Sequence, residues 1–322
     1  MTATSRTVGL GAAAALTFAA VLIGLVYSRD LARARRRVST GSRIAQTKCG
    51  PIEYADRGVG SPVLVVHGAG GGFDQGLLLA QPLAQHGHRV IAMSRFGYLR
   101  TPLPANASAE AQADAHACLL DALGIDRAAV FGVSAGGPSS LQFCLRHAER
   151  CSAMVLLVPL AYSGKEPERL SPGAQWLMER LMASDFLFWA SSHVLRTRMV
   201  ESVLGTPIDD VRGVSEPEQR RIYQVLDAVL PVSLRAKGLL NEGAVARALR
   251  PLPLERITAP TLIASVENDG YRTYAGARYT ADHISGARFI GYARGGHLLV
   301  GHDEEFLAEV VKFLDARNAG MQ

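Results

Sequence analysis

The chain has 322 residues, room for one large domain or two ordinary ones, and 48% of them are hydrophobic, ample for a core. Formal charge is +5, but eight of the 34 Lys and Arg and one of the 29 Asp and Glu lie in residues 1–48, leaving 26 basic and 28 acidic groups in the other 274. The basic excess belongs to the N-terminal segment, which excludes charge as an argument for a nucleic-acid-binding body.

Val8 to Tyr27 is a twenty-residue stretch without charge, rich in Ala, Leu and Val. At helical rise it spans about 30 Å, the thickness of a bilayer core. A cleaved signal peptide is the rival, but no small-x-small site directly follows the apolar run. Ala32-x-Ala34 comes only after Arg29 and Asp30, and Arg35 to Arg37 crowd it. An uncleaved membrane anchor is therefore expected, with export after cleavage as the alternative. Basic residues cluster after the span, with only Arg6 before it, so the positive-inside rule places the body on the cytoplasmic side.

Val38 to Lys48 reads as a short linker running into a first strand, which puts the anchor and linker at residues 1–48 and the main domain at 49–322. Cys49-Gly50-Pro51 is a turn and Ile52 to Ala55 a second strand, antiparallel to the first. From there strands and helices alternate, as in an α/β domain with a mainly parallel sheet and helices on both faces. Val63 to Val66 is wholly apolar, the mark of a strand covered on both sides. It runs into His67-Gly68-Ala69-Gly70-Gly71-Gly72-Phe73-Asp74, which lacks the P-loop lysine and any Gly-x-Gly-x-x-Gly. Its backbone N–H groups suit a developing oxyanion better than a phosphate. Asp74 reads as a cap on the helix Gln75 to Gln85. Arg89 to Ser94 is the next strand, Gln85-His86-Gly87-His88 before it is a polar turn, and Ala107 to Leu123 is a helix.

Ala128 to Phe131 then reads as a buried strand and Ala135 to His147 as a helix, with Gly132-Val133-Ser134-Ala135-Gly136 between them. A strand turning sharply into a helix strains its middle residue and tolerates only small neighbours, while exposing that residue's hydroxyl beside the helix N-terminus. Met154 to Val158 is another buried strand. From about residue 163 to 250 helical periodicity and caps replace apolar β-runs. Ser171-Pro172 reads as an N-cap with proline at the first helical position, and Ser215-x-x-Glu218 as a capping box. Trp176, Met178, Met182, Phe186, Phe188 and Trp189 make this insert apolar, mostly for packing, and a helical insert in an α/β domain suggests a cap. Pro260 to Ser265 restores the strand pattern and leads into Val266-Glu267-Asn268-Asp269-Gly270. Ala287 to Tyr292 is the last strand, Ala293-Arg294-Gly295-Gly296-His297 follows it, and Glu304 to Ala316 closes the chain as a helix. The four cysteines (Cys49, Cys118, Cys144, Cys151) form no Cys-x-x-Cys, which gives no support for zinc or dithiol chemistry. Free buried thiols are the default.

His67-Gly68 after a strand, Gly-x-Ser134-x-Gly at a strand–helix turn, Asp269 after a late strand and His297 after the last one resemble the α/β-hydrolases with a helical cap. The resemblance covers roughly residues 49–318. It implies Ser134 as nucleophile, His297 as general base and then acid, and Asp269 as the group that orients the imidazole. Backbone N–H groups of Ala135 and Ala69 would form the oxyanion hole, with Gly70 as a substitute donor. Glu267 competes with Asp269 and His302 with His297, while His67 takes a structural place. Relatives that open epoxides or remove halides carry aspartate where Ser134 stands, so acyl chemistry is implied. A carboxylic ester leads, ahead of amide, thioester or carbon–carbon hydrolysis. The loop Gly68-Ala69-Gly70-Gly71 departs from the Gly-Ser-Gly-Pro usual in the carbon–carbon hydrolases. The expected substrate is a small, apolar acyl compound, handled without cofactor or metal, and the expected non-protein partner is the membrane. A ligand-binding member of the fold without turnover is the rival of another class.

Overall fold

The computed structural model describes residues 3–164 and 171–319. The first element, α1 (Ala3–Ser39), is a single helix that carries the apolar span and the basic residues after it. Eight strands form one sheet: β1 (Arg43–Thr47), β2 (Gly50–Arg57), β3 (Ser61–Val66), β4 (His88–Met93), β5 (Ala128–Val133), β6 (Cys151–Leu157), β7 (Thr261–Val266) and β8 (Arg288–Tyr292). Their spatial order is β1-β2-β4-β3-β5-β6-β7-β8. The β1/β2 and β2/β4 pairs are antiparallel and the others parallel. The sheet begins at Arg43, ahead of the boundary drawn at residue 49, because β1 pairs with β2 from Arg43↔Tyr54 to Thr47↔Gly50.

Parallel strands require crossovers, and the crossover helices cover both faces. The helices α3 (Ala109–Ala122), α4 (Gly137–Arg146) and α11 (Tyr274–His283) bury Leu119, Phe143 and Ala277 with Leu64 and Val130 on one face. On the other, α2 (Phe73–Gln85) and α12 (Asp303–Ala319) bury Leu83, Phe306 and Val310 with Val63, Val65 and Phe131. Each central strand therefore feeds two cores, which is why the strands read as unbroken apolar runs.

The cap lies between β6 and β7 and contains α5 (Pro172–Ala183), α6 (Asp185–Val194), α7 (Arg196–Leu204), α8 (Ile208–Arg212), α9 (Glu216–Ala228) and α10 (Ala236–Arg247). Its own core holds Met182, Phe188, Trp189, Val200, Ile222 and Leu226, together with Ala34 of α1. Pro172 does open a helix, and Ser215 is the N-cap of α9. The capping box does not form, because the Glu218 carboxylate is drawn to Arg221 at 2.7 and 2.8 Å. Trp176 and Phe186, expected to pack, are exposed, and the side chain of Met178 lies outside the described residues.

The cysteines are not free thiols. Cys49, in the β1–β2 turn, is bridged to Cys118 of α3, and Cys144 of α4 to Cys151 at the start of β6. The Cα atoms stand 6.0 and 5.3 Å apart, within disulfide reach. Helix α3 lies against β1 and α4 beside β6, and sequence spacing carries no trace of either juxtaposition.

Candidate active site

Ser134 stands where β5 turns into a 3₁₀ turn (Ser134–Gly136) and then α4, and its φ is +50°. A non-glycine residue in that region is strained, and the surrounding packing holds it there. A Cβ on Gly136 would lie 2.4 Å from the Val66 carbonyl oxygen, and one on Gly132 2.3 Å from the Ser140 hydroxyl oxygen. Both glycines are thus required by the close approach of β3 and α4 to the turn.

The turn brings the Ser134 hydroxyl to 2.8 Å from Nε2 of His297, which lies in the loop after β8. Nδ1 of the same ring is 2.9 and 3.0 Å from the two oxygens of Asp269, in the loop after β7. Asp269 and His297 are both buried. The Tyr271 N–H donates to Asp269 Oδ1 at 2.9 Å, and the Thr273 hydroxyl donates to Oδ2. Burial pushes the Asp269 carboxyl up, but the charge of His297 and the bonds from His297, Thr273 and Tyr271 prevail and hold it below the ordinary value. An ionised carboxylate on Nδ1 leaves Nε2 free to accept the serine proton. Thr273 and Tyr271 were not singled out by the sequence reading, although the second follows Asp269 closely enough to have been considered. The rivals are elsewhere: Glu267 is exposed, and His302 stacks on Tyr292 with ring centroids 4.2 Å apart.

The loop after β3 faces the elbow. His67 is fully buried, with Nδ1 2.7 Å from the Gly68 carbonyl and Nε2 accepting from the Arg95 N–H at 3.0 Å. Burial, then the Arg95 charge, push its pKa well below the ordinary value, so it is a neutral structural group. The Ala135 N–H lies in the first helical turn after Ser134, where intrahelical acceptors are missing. Gly70, the predicted substitute donor, lies in the same loop with φ +70°, next to the side chain of Val229. Asp74 is not the N-cap, since α2 starts at Phe73 with Gly72 as its N-cap, which puts Asp74 inside the first turn. Its carboxylate instead meets the fully buried guanidinium of Arg235, from the cap, at 2.8 Å. Arg235 also donates to the Gly71 carbonyl.

Further bonds tie the cap to the site. Arg95 donates to the Ala135 carbonyl at 3.1 Å and to Glu242 of α10 at 2.5 Å, and the Tyr98 hydroxyl donates to the same carboxylate at 2.8 Å. On the opposite flank, the Gly205 carbonyl accepts from the N–H groups of Gly270 and His297 at 2.8 and 3.2 Å. Asp210 of α8 takes bonds from Asn268 at 2.6 Å and Arg294 at 2.9 Å, so the loops that carry Asp269 and His297 are both anchored in the cap. Among the described residues no group of three or more His, Cys, Asp or Glu is arranged to hold a metal ion.

A serine at a strained strand–helix turn, a histidine after the last strand and this strand order are one architecture, and the family profile described as alpha/beta hydrolase fold matches residues 61–302. The chain belongs to the alpha/beta hydrolase fold family. Among curated relatives, an uncharacterized hydrolase of Bacillus subtilis (strain 168), YcgS, is 25% identical over 260 residues, which are 78% of this chain and 89% of that hydrolase. The 2-hydroxy-6-oxo-6-phenylhexa-2,4-dienoate hydrolase of Comamonas testosteroni is 33% identical over 113 residues, 34% of this chain and 40% of that enzyme. Among solved structures, an alpha/beta hydrolase fold protein from Nakamurella multipartita superposes with a TM-score of 0.68 at 26% identity, covering 85% of this chain and 98% of that one. These curated relatives are both hydrolases, and membership of the family supports an enzyme.

Proposed function

We propose that the protein is a membrane-anchored serine hydrolase that cleaves a carboxylic ester through Ser134, His297 and Asp269. The observation that carries the reading is the unbroken line of hydrogen bonds from Ser134 Oγ through His297 to Asp269, with 2.8 Å at the serine end. In this mechanism His297 Nε2 takes the hydroxyl proton as Ser134 Oγ bonds to the ester carbonyl carbon. The N–H groups of Ala69 and Ala135 receive the oxyanion, each worth about 3–4 kcal/mol of transition-state stabilisation. His297 then returns the proton to the departing alkoxide, leaving an acyl-Ser134. Water attacks that ester by the same steps in reverse, releasing the acid. Asp269 holds the imidazole's orientation and stabilises its cation throughout. The chemistry calls for no metal or organic cofactor.

The anchor reading is supported by the fate of the residues after the span. Ala34 is buried in the cap's core, Val38 is buried too, and Arg35 and Arg37 pair with Asp185 and Asp74, so cleavage at Ala32-x-Ala34 would cut into the folded body.

The test is labelling of the full chain with a fluorophosphonate, alongside hydrolysis of p-nitrophenyl esters. Wild type is expected to label at Ser134 and to turn over esters, and Ser134→Ala and His297→Ala to do neither above a 10³-fold reduction, the order of loss known for such groups (about 10³–10⁶). Equal labelling of wild type and Ser134→Ala would end the proposal. Carbon–carbon hydrolysis is the second reading, favoured by the 113-residue match to the dienoate hydrolase. Faster turnover of a 2-hydroxy-6-oxodienoate than of any ester would put it first.

A further inference from the structure

The boundary between the apolar span and the folded body is sharp. Residues 15–26 of α1 are exposed all round, whereas from Tyr27 onward one stripe is covered: Tyr27, Asp30 and Leu31 are half-buried, Ala34 and Val38 buried. That is helical spacing, so a single face of α1 lies along the cap. The contact starts where the apolar run ends, at Tyr27. Whatever touches Tyr27 from the body therefore stands at the level where hydrocarbon gives way to headgroups.

What touches it is α6. The Tyr27 ring is 5.2 Å from Phe186 and 5.4 Å from Trp189, and the Trp189 indole N–H donates to Asp30 at 3.1 Å. Helix α6 is two-sided. Asp185, Phe188, Trp189 and Ser192 face the cap core, while Phe186, Leu187, Ala190, Ser191 and Val194 form an outer face without Lys, Arg, Asp or Glu, and the exposed His193 imidazole at its edge lies 3.7 Å from Asp30. Phe186, Leu187 and Val194 are 44%, 46% and 79% exposed, an apolar patch opening onto water beside an apolar span. Clustered tyrosine and tryptophan at the end of a span is the composition of a membrane interface. Arg29, Arg33 and Arg36 stand exposed along the part of α1 beyond the span, the kind of juxtamembrane cations that anionic headgroups attract.

The same helix is close to the candidate site. Asp185 accepts from the Ser233 N–H and hydroxyl at 2.9 and 2.8 Å. Ser233 lies between Val229, which packs over Gly70, and Arg235, which bonds Gly71 and Asp74. One segment, residues 229–235, thus separates the oxyanion loop from the helix that abuts the span.

We infer that the outer face of α6 is a lipid-docking surface, held on the bilayer by its contact with α1, and that the site beneath the cap draws an acyl ester from the membrane rather than from water. Both halves rest on the membrane-anchor reading, which adducts at position 21 test by themselves, and the second rests on the serine hydrolase reading as well. Phe186 and Leu187 enter the acyl boundary as an interfacial helix does. A long-chain ester then reaches the cap without leaving the bilayer, and its carbonyl meets Ser134 while its chain remains in apolar surroundings.

The experiment uses the full chain in nanodiscs of phosphatidylcholine with phosphatidylglycerol, carrying the photoreactive residue p-benzoylphenylalanine at one position. Position 187 is expected to yield a lipid adduct by mass spectrometry, as position 21 within the span does. Position 149, exposed at the opposite, N-terminal edge of the parallel strands, is expected to yield none. Adducts at 21 but not at 186 or 187 overturn the docking surface, and adducts at 149 as well overturn its specificity. Leu187→Glu then tests the route. The ratio of turnover on a dodecanoyl ester in vesicles to turnover on p-nitrophenyl acetate is expected to fall about tenfold, since losing a buried leucine costs more than 1.4 kcal/mol. An unchanged ratio with the lipid adduct intact overturns membrane supply, and fluorophosphonate labelling of the same sample reports separately on whether Ser134 is active.

Discussion

At Ser134 the backbone is strained and its neighbours have no room, and these two facts explain each other. The φ of +50° is maintained because Gly136 is wedged against the carbonyls of Val66 and His67. Gly136→Ala is expected to lower stability by about 1–3 kcal/mol and to slow labelling of Ser134, since the methyl must displace backbone rather than a flexible side chain. A urea midpoint and a labelling rate check it, and an unchanged midpoint would refute the packing account. Nearby, His116 is fully buried with Nε2 3.1 Å from the Ser139 hydroxyl, and burial, then the Arg95 charge, push its pKa down to about 3. The unfolded chain takes up this proton below its ordinary value of 6.5, and the folded one refuses it until about 3. The stability involved is complete above the higher value and declines as pH falls toward the lower, by up to about 1.4 kcal/mol per pH unit. His116→Gln is expected to flatten the pH dependence of the urea midpoint between pH 7 and 5 by that one-proton slope. Equal slopes in the two proteins would contradict it.

At the scale of elements, the cap is sewn down at both ends of the site. Gly205 and Asp210 hold the loops of Asp269 and His297, while Arg235 holds the loop after β3 and Glu242 holds Arg95, which bonds the carbonyl of the residue after Ser134. The candidate site is therefore assembled by core and cap together. Asp74 is the joint: Arg235 and Arg37 both pair with it, so α2, the cap and the end of α1 meet on one carboxylate. Burial raises its pKa, but the two guanidinium groups outweigh this and keep it low. Asp74→Asn leaves Arg235 buried without its counter-charge and is expected to cost about 3–5 kcal/mol in a urea titration. A loss under 1 kcal/mol, on the scale of an exposed pair, would show that this joint carries little.

For the whole molecule, two observations pull the body toward opposite sides of the membrane. The arginines after the span favour the cytoplasmic side, whereas two cross-links formed from all four cysteines belong to an oxidising compartment. Cells alkylated before lysis are expected to yield the peptides Cys49–Cys118 and Cys144–Cys151 joined, on non-reducing peptide mapping. Four alkylated thiols would return the body to the cytoplasm.

Much of the fold and of the candidate site was legible in the amino-acid order because it is written locally. Gly132, Ser134 and Gly136 obey the sterics of one turn, the unbroken apolar runs announce a sheet covered on both faces, and the loss of those runs marks the helical cap. Asp269 and His297 could be placed after their strands from the residues, but their roles came from likeness to a family, and the structure brings these two side chains to Ser134 in one hydrogen-bonded line. What the sequence could not disclose depends on partners distant along the chain. Asp74 reads as a helix cap until Arg235, 161 residues away, claims it, and Glu218 reads as half of a capping box until Arg221 and the Gly301 N–H do. The four cysteines read as thiols until α3 and α4 lay them against the sheet. A residue's own neighbours decide its backbone, but a buried charge or thiol takes whichever partner the packed chain delivers, and only the tertiary structure decides that.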